Sequence, residues 1–149
     1  MRKKNKLTFE SFFLAMIAGG LNLWMLIRLL SHAVFAGAGC IQENNKFTCS
    51  LDFNTGYSGF ASLVAWGVAF IGLYGAIQCL CSRRSGAFIL IVLFATQIIG
   101  LNINNLSFYV PSALNFYYEY VTNGLIVNFN ILPFLLFLNT VGKYRNERF

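Results

Sequence analysis

Apolar residues in this chain fall into long runs broken by short polar stretches. Four runs stand out, at about residues 9–35, 60–80, 87–103 and 117–141. A helix crosses the hydrocarbon core of a bilayer with roughly 20 mostly apolar residues, so the runs predict four transmembrane helices, the third one short. Helices are expected because lipid offers backbone N–H and C=O groups no outside partner. The runs also lack the apolar–polar alternation of barrel strands. Short connections make successive helices antiparallel neighbours. The pattern therefore predicts an all-α fold, an integral membrane four-helix up-down bundle that forms one domain over residues 1–149. No internal repeat, low-complexity tract or flexible linker interrupts it.

Composition agrees with lipid as the solvent. The chain is 57% hydrophobic and 11% charged, against roughly 25% charged residues in soluble domains. The net charge of +6 does not predict a nucleic-acid partner, because the basic residues sit in short clusters beside the apolar runs. With four spans, nine of the 11 basic residues fall on one side. These are Arg2, Lys3, Lys4, Lys6, Arg83, Arg84, Lys143, Arg145 and Arg148. Cytoplasmic loops are enriched in Lys and Arg. Both termini are therefore expected in the cytoplasm, with loops 36–59 and 104–116 outside, in a bacterial inner membrane. The first run exceeds the 7–15 apolar residues of a signal peptide and is read as an anchor.

Cys40 and Cys49 lie in the first outer loop, in an oxidising space where disulfides persist. A disulfide that staples the loop is expected, and a redox-cycling pair is the alternative. Cys79 and Cys81 end the second run beside Arg83 and Arg84. They are expected as reduced thiols, and two such ligands are too few to predict a metal site.

Polar residues within the runs mark candidate chemistry. Arg28 and His32 are four apart and share a helix face. Arg28 is expected to snorkel to the outer interface or to pair with Glu119. Together Arg28, His32 and Glu119 are expected to line an outward-facing pocket for a polar headgroup or a quinone ring. Asn22, Gln78, Gln97, Asn128 and Asn130 are expected to hydrogen-bond between helices. Pro133 is expected to kink the fourth helix. Tyr117, Tyr118 and Tyr120 are expected to form an interface belt.

The residues Cys40, Cys49, Thr55, Tyr57-Ser58, Ala65-Trp66-Gly67 and Gly72-Leu73-Tyr74 resemble the vitamin K epoxide reductase family. The resemblance implies a four-helix membrane bundle with two loop cysteines. In that family these exchange disulfide with a C-x-x-C pair near the outer end of the fourth helix, which passes electrons to a quinone. The resemblance also adds Thr55 and Tyr57 to the candidate pocket. This chain departs from the family at the C-x-x-C pair. The corresponding stretch, Tyr120-Val121-Thr122-Asn123-Gly124-Leu125-Ile126-Val127-Asn128, holds no Cys.

No catalytic residue is therefore assigned. The expected function is a non-catalytic polytopic membrane subunit. It would pack against lipid and other membrane protein subunits in a larger complex, and would hold lipid or quinone. The alternative is a divergent thiol–quinone oxidoreductase working through Cys40 and Cys49. Claudin-like tetraspans also carry two loop cysteines, but loop 36–59 is too short for the strands of that fold.

Overall fold

The first two apolar runs form helices close to where the hydrophobic pattern places them: α1 (Phe9–Leu30) and α2 (Gly59–Leu80). The computed structural model describes residues 9–31, 34–54, 59–81, 83–104 and 106–146. Beyond the first two helices the expected architecture is overturned. The chain is mixed α/β, with four helices and a six-stranded sheet among the described residues, and is not an all-α bundle. The third run divides into α3 (Arg84–Gln97) and strand β3 (Ile99–Ile103). The fourth divides into strands β5 (Asn115–Thr122) and β6 (Leu125–Asn130), followed by α4 (Ile131–Asn146). At about 1.5 Å per residue, α3 and α4 fall well short of the ~30 Å that a bilayer core requires. Among the described residues only α1 and α2 are long and apolar enough to cross a membrane, with mean hydropathies of 1.8 and 1.9.

The physical reason for the correction is period. Ile99-Gly100-Leu101-Asn102-Ile103 alternates strictly, and its burial alternates with it. Alternation of period two is strand geometry. Two hairpin turns complete the case. Asn44 and Asn45 have φ of 47° and 61°, and Asn123 and Gly124 have φ of 23° and 82°. Positive φ at both central residues is what a two-residue turn joining twisted strands needs. The first turn joins β1 (Val34–Glu43) to β2 (Lys46–Asn54), and the second joins β5 to β6. The first outer loop, shorter than the strands of a claudin-like fold require, thus holds most of a two-stranded hairpin. Pro133 does not kink a helix either. It is the third residue of α4, within the first turn, where its missing N–H costs nothing.

The sheet order is β2-β1-β5-β6-β3-β4, with β4 spanning Leu106–Phe108. All pairings are antiparallel except β1 with β5. Ile98 alone separates α3 from β3, and β6 runs directly into α4. The sheet therefore grows from one end of the helical layer. The helices share a core of small and branched side chains: Ala15 and Ala18 of α1, Ala76 and Cys79 of α2, Ala87, Leu90 and Phe94 of α3, and Leu136 of α4. Gly86 lets α3 approach α2 closely. A Cβ there would lie 2.5 Å from the Cys79 backbone nitrogen and 2.7 Å from the Gly75 carbonyl oxygen.

Register separates the two faces of the sheet. Gly37, Gly39 and Ile41 stand opposite Asn115, Tyr117 and Glu119 in β5, and opposite Asp52, Ser50 and Thr48 in β2. Glu119 and Tyr117 in turn face Asn128 and Asn130. This face is polar. The other carries Phe47, Leu51 and Phe53 of β2, Leu101 and Ile103 of β3, and Leu106 and Phe108 of β4, all exposed. Cys40 and Cys49 are register partners on this second face and form the expected disulfide.

Candidate functional site: a polar cavity at the junction of sheet and helices

Segment 109–114, between β4 and β5, packs down onto the helix ends. Ala113 joins Met25, Leu93, Ala65, Val68 and Ala69 in a second core cluster. Burying a loop requires partners for its carbonyls; Arg28 and Gln97 supply them, and Asn130 ties in the side chains of Ser112 and Asn115. Arg28, only 2% exposed, donates through Nη1 to the carbonyls of Ser112 at 3.3 Å and Ala113 at 2.6 Å. Gln97 donates to the Pro111 carbonyl at 2.7 Å. Asn130 donates to the Ser112 hydroxyl at 2.8 Å and to Asn115 at 3.1 Å, and accepts from the Phe116 N–H at 3.2 Å.

A cavity of about 370 Å³ opens above this clasp, on the polar face of the sheet. Asp52 lines it from β2, Tyr117 and Glu119 from β5, Asn128 from β6 and Asn102 from β3. Among the described residues no Lys, Arg or His lines it. Strand β1 separates Asp52 from Tyr117, yet the two interact because of Gly39. The Tyr117 ring occupies the space that a side chain at residue 39 would fill. Burial first, then the carboxylates of Asp52 and Glu119, raise the Tyr117 phenol above its usual range. Burial also raises the Glu119 carboxyl above the ordinary glutamate range. Asn128 donates to Glu119 at 3.4 Å.

The structure separates the residues that the sequence grouped as one pocket. Glu119 lines the cavity, whereas Arg28 lies beneath segment 109–114 and binds its carbonyls. His32, Thr55 and Tyr57 lie outside the described residues. Of the expected interhelical amides, Asn22 bonds within its own helix to the Ala18 carbonyl at 2.7 Å. Gln97 clasps a loop, and Asn128 and Asn130 belong to a strand. The expected tyrosine belt divides between the two faces of β5, with Tyr117 on one and Tyr118 and Tyr120 on the other. Asp52, Asn102 and Tyr117 were not anticipated as site residues. The alternation within β3 was the available signal, but the β1–β5 pairing that brings Asp52 towards Tyr117 has no local signature.

Among the described residues no three His, Cys, Asp or Glu side chains gather as metal ligands. Cys79 is buried and Cys81 exposed, neither of them in a disulfide. Both lie at the end of α2 remote from the sheet. Fold and site together define a mixed α/β chain with two helices of membrane-crossing length and a sheet that carries a polar cavity. No family model, curated protein or solved structure matches the chain.

Proposed function

We propose that this protein is a non-catalytic membrane subunit, anchored by α1 and α2, that docks a partner subunit on the apolar face of its sheet. The observation that carries this reading is that face itself. Phe47, Phe53 and Phe108 are each 62% exposed, with Leu51 at 65% and Leu106 at 64%. An aromatic side chain offers roughly 150–250 Å² of burial. Contiguous apolar patches larger than a few hundred Å² mark interaction surfaces in water. The helices support the anchoring. Only a third of the apolar window of α1, and of α2, is buried within the protein. Phe13, Met16, Phe60, Leu63 and Phe70 all point outward, as lipid contact requires. In this placement Arg83, Arg84, Lys143 and Arg145, at the helix ends remote from the sheet, face the cytoplasm. The sheet lies outside.

The test is purification from native membranes in mild detergent, followed by measurement of complex mass. A complex larger than the lone 16.7 kDa chain is expected. It should dissociate in Phe53→Asp and Leu106→Asp variants but persist in Ser50→Asp, on the opposite face. A lone chain, or a complex indifferent to both faces, overturns the reading.

One observation favours a redox alternative. The disulfide lies on the exposed face of the β1–β2 hairpin, and Cys49 is itself exposed, so a thiolate from outside can attack it directly. Rapid turnover of that bond with an added thiol and quinone would support a thiol–quinone oxidoreductase. A bond that resists glutathione supports a staple.

A further inference from the structure

The cavity on the polar face selects its occupant by charge. An anion there would meet Asp52 and Glu119, with no basic side chain among the described residues lining the space to offset them. A neutral polyol would rely on amides, which donate and accept together. Here the amides are largely engaged by the protein: Gln97 with Pro111, Asn130 with Ser112 and Asn115, and Asn128 with Glu119. Carboxylate charge and an aromatic ring remain available. A cation over a Tyr face is attracted by the ring quadrupole, and ammonium groups are recognised in this way. The Tyr117 ring is backed by Gly39 and lines the cavity.

We propose that this cavity binds an organic ammonium group, with Asp52 and Glu119 as its counter-charges and Tyr117 as the ring on which it rests. The volume of about 370 Å³ lies near the lower end of small-molecule sites, roughly 300–1,000 Å³. It accommodates a head the size of trimethylammonium or ethanolamine.

The ammonium has two possible sources. Gln97 ends α3 and Asn130 immediately precedes α4, so the cavity floor lies where helices meet sheet. If α1 and α2 cross the bilayer, that level is the outer headgroup layer, and the ligand is an amine headgroup of a phospholipid. Only this lipid source rests on the proposed membrane placement. A free amine does not.

The experiment uses the full chain in nonionic detergent, titrated with choline and with ethanolamine by calorimetry. Glucose and inorganic phosphate serve as comparison ligands. A second arm reconstitutes the chain with phosphatidylcholine, phosphatidylethanolamine or phosphatidylglycerol and reads retained lipid by native mass spectrometry. Binding of an amine in either arm is expected, weakened about tenfold by Asp52→Asn or Glu119→Gln, a loss equal to about 1.4 kcal/mol. Tyr117→Phe keeps the ring and should bind within about threefold of the parent chain, whereas Tyr117→Leu should lose about tenfold. The thermal midpoint and intact disulfide of each variant establish that it is folded. Should one carboxylate variant not fold, the other still reads the charge requirement. Free-amine binding without lipid retention would support the cavity's charge selectivity and identify a soluble amine as the ligand, whatever the membrane placement. The proposal is overturned if neither amine binds in either arm, if the carboxylate variants bind as the parent does, or if glucose or phosphate binds as well as the amines.

Discussion

Arg28 shows how one residue's role depends on what closes over it. A guanidinium within an apolar helix is read from sequence as an anchor that reaches for water. Instead segment 109–114 folds over it, and the charge satisfies two buried carbonyls. Removing a donor that leaves buried acceptors unsatisfied costs about 1–3 kcal/mol, more when the donor is charged. Arg28→Met is therefore expected to destabilise the fold by about 2–4 kcal/mol. The measurement is thermal unfolding in detergent, with earlier protease cleavage at segment 109–114. Arg28→Lys should fall between the two, since it keeps a cationic donor but places a compact ammonium, on a stem of different reach, where the guanidinium Nη1 meets both carbonyls. Equal stability in all three chains would return Arg28 to the role of a surface anchor. Glu119 makes the second prediction at this scale. Its folded carboxyl titrates above the ordinary value of 4.5, through burial. Between that value and the raised one, the folded state holds a proton that the unfolded state has released. Stability then falls as pH rises through this window and levels off above it. The neighbouring Tyr117 also has a raised value, from an ordinary 10.0, and titrates far above this range. Urea midpoints across the acid range should show this fall in the parent chain. They should lose this component in Glu119→Gln.

At the scale of elements, legibility depended on the range of the signal. The first two helices and the partnership of Cys40 with Cys49 follow from local runs and compartment chemistry. The strands did not emerge because a window long enough to find a membrane helix averages across period two. Tyr117–Asn130 has aromatic and branched residues on both sheet faces, so its mean looks like a span. Its punctuation was nonetheless present in Asn123-Gly124, a pair suited to a tight hairpin turn. The site was less legible still. Glu119 was found because a carboxylate in an apolar run stands out. Asp52 reaches the same cavity only through a parallel pairing of β1 with β5, residues far apart in sequence. If the turn specifies the β5–β6 hairpin, then Gly124→Val, which forces a branched residue to a φ of 82°, should cost more than Gly124→Asn. The left-handed conformation costs an ordinary residue roughly 1–2 kcal/mol, while asparagine tolerates it. The check is a thermal midpoint for each variant, with loss of the cavity's ligand response at lower temperature in the valine chain. Equal midpoints would mean that the strand pairing, not the turn, sets the register.

For the whole molecule, the arrangement of charge and thiols provides its own test of orientation. The sheet grows from the helix ends that include the last residue of α1 and the first of α2. Arg83, Arg84, Lys143 and Arg145 gather at the opposite ends. There Arg84 lies over the Tyr144 ring at 4.4 Å, and Lys143 meets Glu10 of α1 at 3.7 Å. If basic ends stay in the cytoplasm, Cys81, exposed and free at that end, is hidden from a reagent that cannot cross the membrane. The bonded Cys40 and Cys49 are outside but blocked. An impermeant maleimide added to intact cells should therefore leave the chain unlabelled. Adding an impermeant reductant first should expose two sites, Cys40 and Cys49, and no others. Permeabilising without reductant should expose Cys81, and Cys79 only on unfolding, because it is buried in the helical core. The three treatments give distinct labelling counts, so each compartment is read separately. Labelling of Cys81 in intact cells, with Cys40 and Cys49 still unlabelled after the impermeant reductant, would invert the orientation and move the cavity to the cytoplasmic side. Labelling of every accessible thiol regardless of treatment would remove the membrane from the account altogether. The apolar surfaces of α1 and α2 would then need a protein partner to cover them.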